Sequence, residues 1–206
     1  MEPKAHWEHV YATKPINSVS WFEPHAAMSL NFIQRTDASK RANIIDVGGG
    51  TSVLCDDLLE AGYSNLTVLD ISESALHAAQ ARLGARAHAI AWLVGDITKL
   101  ALPVHQYDIW HDRAVFHFLT APEDRNAYVS ALLRSVRPGG HVIVATFASD
   151  GPTQCSGLSV MRYSPTALHH EFGAMFSLIA HERQAHRTPS GATQQFIYCY
   201  CRLPES

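Results

Sequence analysis

The sequence predicts a doubly wound α/β fold, in which a mostly parallel seven-stranded sheet carries helices on both faces. Short apolar runs alternate with helical patterns along most of the chain, as in sheets whose parallel strands are joined by helical crossovers. A turn-like segment at residues 188–192 separates two β-rich runs, which predicts a C-terminal hairpin with one antiparallel strand. Residues 1–40 fall outside this alternation and are expected to form an N-terminal helical cap. The chain, 1–206, is therefore expected to be one domain with its core at 41–206.

The strands are predicted from short apolar or β-branched runs, and the helices from their capping residues. The seven strands are expected at residues 42–47, 65–69, 89–94, 107–111, 141–147, 176–187 and 193–203. A helix over residues 51–61 is expected to end before Gly62, and a second helix, capped by Ser72, before Gly84. Ser164, followed by a proline, opens another helix.

The helix after the fourth strand is predicted to begin with a capping box. Thr120 and Glu123 have the required three-residue spacing, and apolar residues follow at the i, i+3, i+4, i+7 positions of a helix. Residues 137–140, Arg-Pro-Gly-Gly, are expected to break this helix before the fifth strand.

The composition is that of a globular protein, with 47% hydrophobic and 17% charged residues. Sixteen Lys and Arg residues against 19 Asp and Glu residues give a net charge of -3, so no basic excess favours nucleic acid. The N-terminal residues lack an apolar signal segment, and no apolar run approaches the roughly 18 residues of a membrane span. We therefore expect a cytoplasmic protein without nucleic-acid or membrane partners, whose oligomeric state the sequence leaves open.

Cysteine and histidine patterns favour neither a disulfide framework nor a metal site. The four cysteines are few and irregularly spaced, so they are expected to be small apolar core residues. The 13 histidines include no H-E-x-x-H pattern and no cysteine–histidine zinc pattern. No metal is predicted.

A glycine turn and three acids predict a nucleotide site. The first strand ends at Asp46, and residues 48–50 are all glycine, which lets a ligand lie against bare backbone. Asp70 ends the second strand and Asp96 the third, and the carboxyl ends of parallel strands meet at one edge of the sheet. A carboxylate about 20 residues after such a turn is typical of a ribose-binding acid. Each acid alone also suits a helix cap or an exposed turn.

The details of the turn distinguish between nucleotides. A dinucleotide-binding turn has the form G-x-G-x-x-G, and Val53 occupies the third glycine position. Asp46 would also face the doubly charged pyrophosphate of a dinucleotide. A ligand that carries positive charge, such as a sulfonium nucleoside, suits this acid better. An NAD(P)-dependent oxidoreductase and a noncatalytic nucleotide-binding module remain alternatives.

These residues resemble the motifs of the class I S-adenosylmethionine-dependent methyltransferases, and the resemblance extends over most of the chain. The stretch from Asp46 to Thr51 is similar to that family's motif h-h-D-h-G-x-G, with Ser52 where a further glycine is common. The resemblance implies that Asp70 holds the ribose hydroxyls, and that Asp96 accepts from the adenine amine while Ile71 and Ile97 pack on the ring. The cofactor-binding residues it implies are Tyr11, Trp21, Asp46, Gly48, Gly49, Gly50, Asp70, Ile71, Asp96, Ile97 and His111.

The N-terminal segment resembles that of a subgroup with a helical cap. Trp7 and Tyr11 match its W-[DE]-x-x-Y pattern, and Trp21 follows in a second aromatic stretch. The resemblance implies that the cap closes over the cofactor, with Tyr11 and Trp21 as candidates to touch its methionine part. The alternative is that these aromatic residues simply pack the cap onto the sheet.

The catalytic candidates follow the fourth strand. His111, Asp112, Arg113 and His117 place polar groups near the expected site of methyl transfer. A base is needed only where the nucleophile carries a proton, and histidine exchanges protons near neutral pH, so His111 or His117 is the candidate. The alternative for each is a solvated loop residue or an Asp–Arg surface pair.

The acceptor is predicted from the segment after the fifth strand. Residues 147–158 and 161–163 are of mixed polarity and almost uncharged, which suits a small neutral molecule. Cys155 would suit a thiol or metalloid acceptor. We therefore expect a small-molecule methyltransferase, with a protein lysine methyltransferase as the alternative within the fold.

Overall fold

The computed structural model describes residues 2–205, and its centre is one seven-stranded sheet. The strands of this sheet are β1 (Asn43–Val47), β2 (Asn65–Asp70), β3 (Ile90–Val94), β4 (Tyr107–Arg113), β5 (Val136–Phe147), β8 (Ser177–Arg187) and β9 (Thr193–Arg202), while β6 (Gln154–Cys155) and β7 (Leu158–Ser159) form a separate hairpin. The strand order is β3-β2-β1-β4-β5-β9-β8. Strands β1 to β5 pair in parallel, and β9 is antiparallel to both of its neighbours. The predicted fold class is confirmed.

The helices are α1 (Pro3–Thr13), α2 (Ala27–Gln34), α3 (Leu54–Glu60), α4 (Glu73–Leu83), α5 (Pro122–Ser135) and α6 (Pro165–Phe172). Ser72 caps α4 as predicted, since its hydroxyl accepts from the Ala75 amide at 3.2 Å. Ser164 caps α6 in the same way, at 3.1 Å from the Ala167 amide. Helices α1 and α2 lie in the predicted cap. No helix within residues 2–205 is long and apolar enough to cross a membrane.

The prediction of a capping box before α5 is wrong. Ala121 is the N-cap residue and makes no side-chain cap, because Pro122 occupies the first helical turn and moves the start of the helix past Thr120. The Arg125 guanidinium instead holds the Thr120 carbonyl at 2.9 Å. Helix α5 ends at Ser135, before residues 137–140, as predicted. Strand β5 begins at Val136, and Gly139, with a φ of +74°, lies where the pairing of β4 and β5 is irregular, between Tyr107 and Ile109.

Apolar layers cover both faces of the sheet. Helices α5 and α6 pack on one face, where the indole of Trp110 donates to the Tyr128 hydroxyl at 2.8 Å. Helices α2, α3 and α4 pack on the other face, where the rings of Phe32 and Tyr198 stack with their centroids 5.5 Å apart. The expected helices on both faces are therefore present.

Helix α1 docks on the start of α4 through a carboxylate. Glu8 accepts from the backbone amides of Glu73 at 2.7 Å and Ser74 at 3.3 Å. A carboxylate is favourable there, because the first amides of a helix have no intrahelical partner. This contact holds α1 across the edge at which β1, β2 and β3 end.

Candidate active site

A cavity of about 500 Å³ lies at the carboxyl ends of the parallel strands. This volume is within the ~300–1,000 Å³ of typical small-molecule sites. One side of it, the strand-end wall, consists of residues that follow β1, β2 and β3: Gly48, Asp70, Ile71, Gly95, Asp96 and Ile97. The opposite side, the cap wall, comes from the N-terminal cap, the turn after β4 and the β6–β7 hairpin: His6, Trp7, Tyr11, Trp21, Phe118 and Leu158.

The glycine turn after β1 has no room for side chains. The amides of Gly48 and Gly49 both donate to the Leu69 carbonyl, at 2.7 and 3.1 Å. Gly48 has a φ of +68°, and a Cβ there would lie 1.9 Å from Val115 Cγ2. At Gly50, with a φ of +47°, a Cβ would lie 2.7 Å from the Tyr11 hydroxyl. Only glycine satisfies both the backbone conformation and the close approach.

Asp70 is a buried carboxylate in the strand-end wall. Its Oδ1 accepts from the Ser72 amide at 2.8 Å, and its Oδ2 lies 3.0 Å from where a Cβ of Gly50 would stand. Burial raises the pKa of Asp70 to about 7, with a further increase from Asp46 and an opposing effect from the Ser72 amide. The carboxylate has accepting capacity left for a ligand.

Asp96 belongs to the same wall, and its surroundings are more polar than those of Asp70. Its Oδ1 accepts from the Thr98 amide at 2.9 Å and the Thr98 hydroxyl at 2.7 Å, and its Oδ2 pairs with Lys99 at 3.3 Å. Partial burial works to raise the pKa of Asp96, but Thr98 and Lys99 outweigh it and lower the pKa. Ile71 and Ile97 supply apolar surface on either side.

His111 and Asp46 lie behind the glycine turn in a buried chain of hydrogen bonds. Nδ1 of His111 is 2.7 Å from Asp46 Oδ1, Nε2 is 2.9 Å from Ser29 Oγ, and Ser29 Oγ is 3.2 Å from the Tyr198 hydroxyl. If Nδ1–H donates to Asp46, neutral His111 accepts from Ser29, and both ring nitrogens are engaged. His111 borders a second cavity of about 50 Å³ rather than the large one. Its catalytic role stays a prediction.

Asp112 is buried, and its side chain caps the turn that follows β4. Its carboxylate accepts from the amides of Val115 at 2.9 Å and Phe116 at 3.1 Å, and from the Tyr128 hydroxyl at 2.7 Å. Burial raises the pKa of Asp112 to about 6, against the opposing effect of these hydrogen bonds. The carboxylate fixes the turn that follows β4 and does not line the large cavity.

His117 is fully buried at the same turn. The Phe147 amide donates to its Nδ1 at 3.3 Å, so in the neutral ring Nε2 carries the proton. Nε2 is buried and has no hydrogen-bond partner within the described chain. Burial, and then the nearby Arg113, lower the pKa of His117 to about 3. A ring with this pKa takes up no proton near neutral pH.

Arg113 lies between the two cavities and lines both. Its guanidinium pairs with Glu23 at 3.3 Å, donates to the Trp21 carbonyl at 3.2 Å and stacks over the Phe196 ring at 4.4 Å. Its Nε is buried without a hydrogen-bond partner among residues 2–205. The positive charge is thus held between the two cavities, beside the carboxylate of Glu23.

The aromatic residues of the cap both line the cavity and pack against one another. Tyr11 and Trp21 lie with ring centroids 6.1 Å apart, Trp21 and Trp7 at 5.7 Å, and Trp7 and Phe118 at 5.1 Å, in edge-on arrangements. All four are only half-buried. The two alternatives for these residues, cofactor contact and cap packing, are therefore compatible.

Two cap-wall residues, His6 and Phe118, have no role predicted from the sequence, whereas Leu158 ends the segment 147–158 from which the acceptor is predicted. His6 stands beside Trp7 on α1, and positions 3, 6, 7 and 11 of a helix share one face. Leu158 follows a turn at Ser156 and Gly157, both with positive φ, so a serine–glycine turn signal was present. For Phe118 no signal was present, because the sequence does not show how the turn after β4 folds back.

Cys155 also lines the cavity, although its thiol is largely buried. Burial raises the pKa of Cys155 to about 11, so the thiol is protonated at neutral pH. The other three cysteines are buried in the core, as predicted.

The site fits the cofactor that the sequence analysis expects. The cavity has sufficient volume, a bare-backbone turn that a Cβ would block, and two carboxylates that follow neighbouring strands. A cofactor with two hydroxyls, an amine and a flat ring finds a matching group for each in Asp70, Asp96 and the two isoleucines. The small cavity is lined by the charged residues Asp46, Glu23 and Arg113, which suit the ammonium and carboxylate groups at the methionine end of the cofactor.

Comparison with known proteins supports this match. Residues 44–140 match the family model described as a methyltransferase domain. The ubiquinone/menaquinone biosynthesis C-methyltransferase of Roseobacter denitrificans is 32% identical over 108 residues, which cover 51% of this chain and 42% of that protein. The match thus spans less than half of that relative. EEF1A lysine methyltransferase 2 of Danio rerio is 27% identical over 157 residues, covering 69% of this chain and 67% of that protein.

Among solved structures, the fold resembles the 1,6-didemethyltoxoflavin-N1-methyltransferase of Burkholderia thailandensis, a complex with S-adenosylhomocysteine. The TM-score is 0.70 at 19% identity, covering 88% of this chain and 80% of that chain. A methyltransferase from Methanosarcina mazei gives a TM-score of 0.71 at 14% identity, covering 84% and 98%. Residues 44–140, which include the glycine turn and the acids after β2 and β3, are similar to a methyltransferase domain, and this match supports a class I S-adenosylmethionine-dependent methyltransferase.

Proposed function

We propose that this protein transfers the methyl group of S-adenosylmethionine to a small-molecule acceptor. The observation that carries the proposal is the cavity itself, which joins a glycine turn and two acids on one side to an aromatic, half-buried wall on the other. The bound cofactor supplies an electrophilic methyl group on a sulfonium. The protein has to align the acceptor with it and to exclude water.

At the nucleoside end, the strand-end wall provides the binding groups. Asp70 accepts from the two ribose hydroxyls, and the backbone of Gly48 lies against the ligand, while Gly50 lies beneath Tyr11 and Asp70. Asp96 accepts from the adenine amine, while Ile71 packs on the ring. These roles are those expected from the sequence, and the position of each residue in or beside the cavity supports them.

At the amino-acid end, the small cavity provides charges of both signs. Asp46 and Glu23 offer carboxylates to an ammonium group, and Arg113 offers a guanidinium to a carboxylate. We therefore propose that Arg113 binds the cofactor, in addition to the catalytic role expected from the sequence. Tyr11 and Trp21 border both cavities and enclose the junction between the two ends.

Among the four catalytic candidates, three hold neighbouring residues in place and do not transfer a proton. His111 has both ring nitrogens engaged, Asp112 holds the turn after β4, and His117 keeps its single proton at neutral pH. We propose that they fix the inner end of the site. Methyl transfer from a sulfonium does not itself require a base when the nucleophile is unprotonated.

A small acceptor is supported by the cover over the cavity. Helix α1 and the β6–β7 hairpin both contribute to its outer wall, so a protein side chain would have to pass between them. The relative from Danio rerio, named as a lysine methyltransferase, favours the second candidate, a protein lysine acceptor. A cytoplasmic location and the lack of a nucleic-acid partner stay predictions.

The experiment that tests the proposed function is calorimetric titration with S-adenosylhomocysteine, with NAD and NADP titrated in parallel. We expect S-adenosylhomocysteine to bind at micromolar concentration and both dinucleotides to give no heat. Preference for a dinucleotide, or no binding of S-adenosylhomocysteine, would contradict it. Incubation with S-adenosylmethionine and small acceptors or a lysine-containing protein then distinguishes the two acceptor classes.

A further inference from the structure

The cap wall has features that bear on what the acceptor is. If the strand-end wall and the small cavity take the cofactor, the surface left for the acceptor is formed mainly by His6, Trp7, Phe118 and Leu158. Trp7 and Phe118 are aromatic, and Leu158 is aliphatic. The inference below rests on the proposed function, because it assigns the half of the cavity that the cofactor leaves free.

The aromatic residues present apolar surface to the cavity. Trp7 and Phe118 are half-buried, although they pack edge-on against each other with centroids 5.1 Å apart. Large apolar side chains with this exposure offer faces and edges to a flat ligand, and aromatic pairs prefer such geometries. Leu158, from the hairpin, closes the wall with a further apolar group.

Charged side chains also line the cavity, but none of them belongs to the four residues left for the acceptor. Lys99 and Asp124 line the cavity but are exposed to solvent, and Lys99 pairs with Asp96 at the strand-end wall. Arg113 stands at the inner end, paired with Glu23. A charged acceptor on the cap wall would therefore lose water without gaining a counter-ion there.

Among the four residues left for the acceptor, the polar groups are the His6 ring and the Trp7 indole N–H, and only the His6 ring can also accept a hydrogen bond. Its Nε2 is buried and has no hydrogen-bond partner in the part of the chain that the structure describes, and its ring stands edge-on to Trp7 with centroids 5.3 Å apart. The pKa of His6 is lowered by burial and then by the neighbouring His9 and Lys14, with an opposing effect from the Ser156 backbone. The neutral ring both donates and accepts hydrogen bonds.

We propose that the cap wall binds a flat, uncharged acceptor and that His6 hydrogen-bonds the hydroxyl, amine or thiol that receives the methyl group. The apolar residues select the flat part of the molecule by contact, and His6 orients its single polar group. A lysine side chain can make a cation–π contact with Trp7 or Phe118, but it finds no carboxylate among these four residues to pair with its charge.

The test is calorimetric titration of the protein saturated with S-adenosylhomocysteine, using two flat probes, 2-naphthol and naphthalene, which differ by one hydroxyl. We expect 2-naphthol to bind about three- to ten-fold more tightly than naphthalene, as one hydrogen bond provides. His6→Leu should remove this difference, while His9→Leu, an exposed change on the same helix, should keep it. Trp7→Leu should weaken both probes by about three- to ten-fold.

A third probe, Nα-acetyl-lysine methylamide, tests the opposite class and should bind more weakly than either flat probe. Tighter binding of the lysine probe, no binding of 2-naphthol, or an unchanged hydroxyl preference in His6→Leu would each overturn the inference. These failures are distinct from failure of the proposed function, since the latter shows as an absence of S-adenosylhomocysteine binding at the first step.

Discussion

The two walls of the cavity are built in different ways. The strand-end wall is made of short turns that follow β1, β2 and β3, so its residues are fixed by the rigid parallel sheet. The cap wall is gathered from α1, the turn after β4 and the β6–β7 hairpin, which are distant in sequence. The difference teaches that the strand-end wall can be predicted from local motifs, whereas the cap wall depends on how separate segments fold over the sheet. Under the proposed function, the first wall binds the donor and the second binds the acceptor.

The largest effect should come from closing the glycine turn. Gly48→Ala places a Cβ 1.9 Å from Val115 Cγ2 at a φ of +68°, so we expect S-adenosylhomocysteine binding to fall below detection. Gly84→Ala is the matched control, because Gly84 also has a positive φ but has no atom within 4 Å of the added Cβ. Equal binding by both variants would show that the strand-end wall does not hold the cofactor.

The next effect concerns the buried chain behind that wall. His111→Ala leaves the buried Asp46 carboxylate without its partner, and we expect it to lower the free energy of unfolding by about 3 kcal/mol or more. Ser29→Ala removes only the other end of the chain and should cost about 1 kcal/mol. Urea unfolding measures both. A stable His111→Ala variant with slow methyl transfer would instead favour the catalytic role expected from the sequence.

A third effect concerns the charge of Asp70. Its pKa of about 7 exceeds that of an unfolded aspartate, so the folded protein holds this proton longer, and stability from this group falls as pH rises from about 4 through 7. Ribose hydroxyls donate to the ionised form, so affinity for S-adenosylhomocysteine should rise as pH increases from 6 to 8.

Asp70→Asn tests this directly by removing the titration. We expect it to weaken S-adenosylhomocysteine by about 10- to 100-fold at pH 8, as loss of hydrogen bonds to a charged group does. The pH dependence of affinity should flatten in the variant. The same pH dependence in wild type and Asp70→Asn would assign it to another group, with Asp112, whose pKa is about 6, as the next candidate.

The smallest effect lies at the junction of the two walls. Glu8→Gln keeps the size of the side chain that caps α4 but removes its charge, and should lower the free energy of unfolding by less than about 1 kcal/mol. Thermal unfolding checks this, with Glu2→Gln, an exposed change before α1, as control. A loss of several kcal/mol would mean that α1 holds the fold together rather than only covering the cavity.

The sequence predicts the sheet well because each strand carries its own signal. Every predicted strand is present, and Ser72 and Ser164 cap helices as expected, since capping depends on neighbours only three residues away. The capping box at Thr120 failed because Pro122 offers an alternative start that local spacing does not exclude. The correct serine caps and the failed capping box both depend on residues that are close in sequence.

The site was harder to predict where it depends on long-range packing. The glycine turn and Asp70 reach the cavity because strand ends determine their position. His111 and His117 look equally suited to catalysis in the sequence, yet their neighbours, Ser29 and Phe147, come from other parts of the chain and engage their rings. His6 carries no motif of its own, and only its place on α1 beside Trp7 indicates that it lines the cavity.

The span of the family match has a consequence for how specificity could change. Residues 44–140 include the glycine turn and both cavity acids, but neither α1 nor the β6–β7 hairpin. Exchange of these two peripheral segments between relatives would therefore alter the cap wall, Tyr11 included, and leave the strand-end wall unchanged. Such modularity would let one scaffold acquire new acceptors by recombination at its edges, without redesign of the sheet.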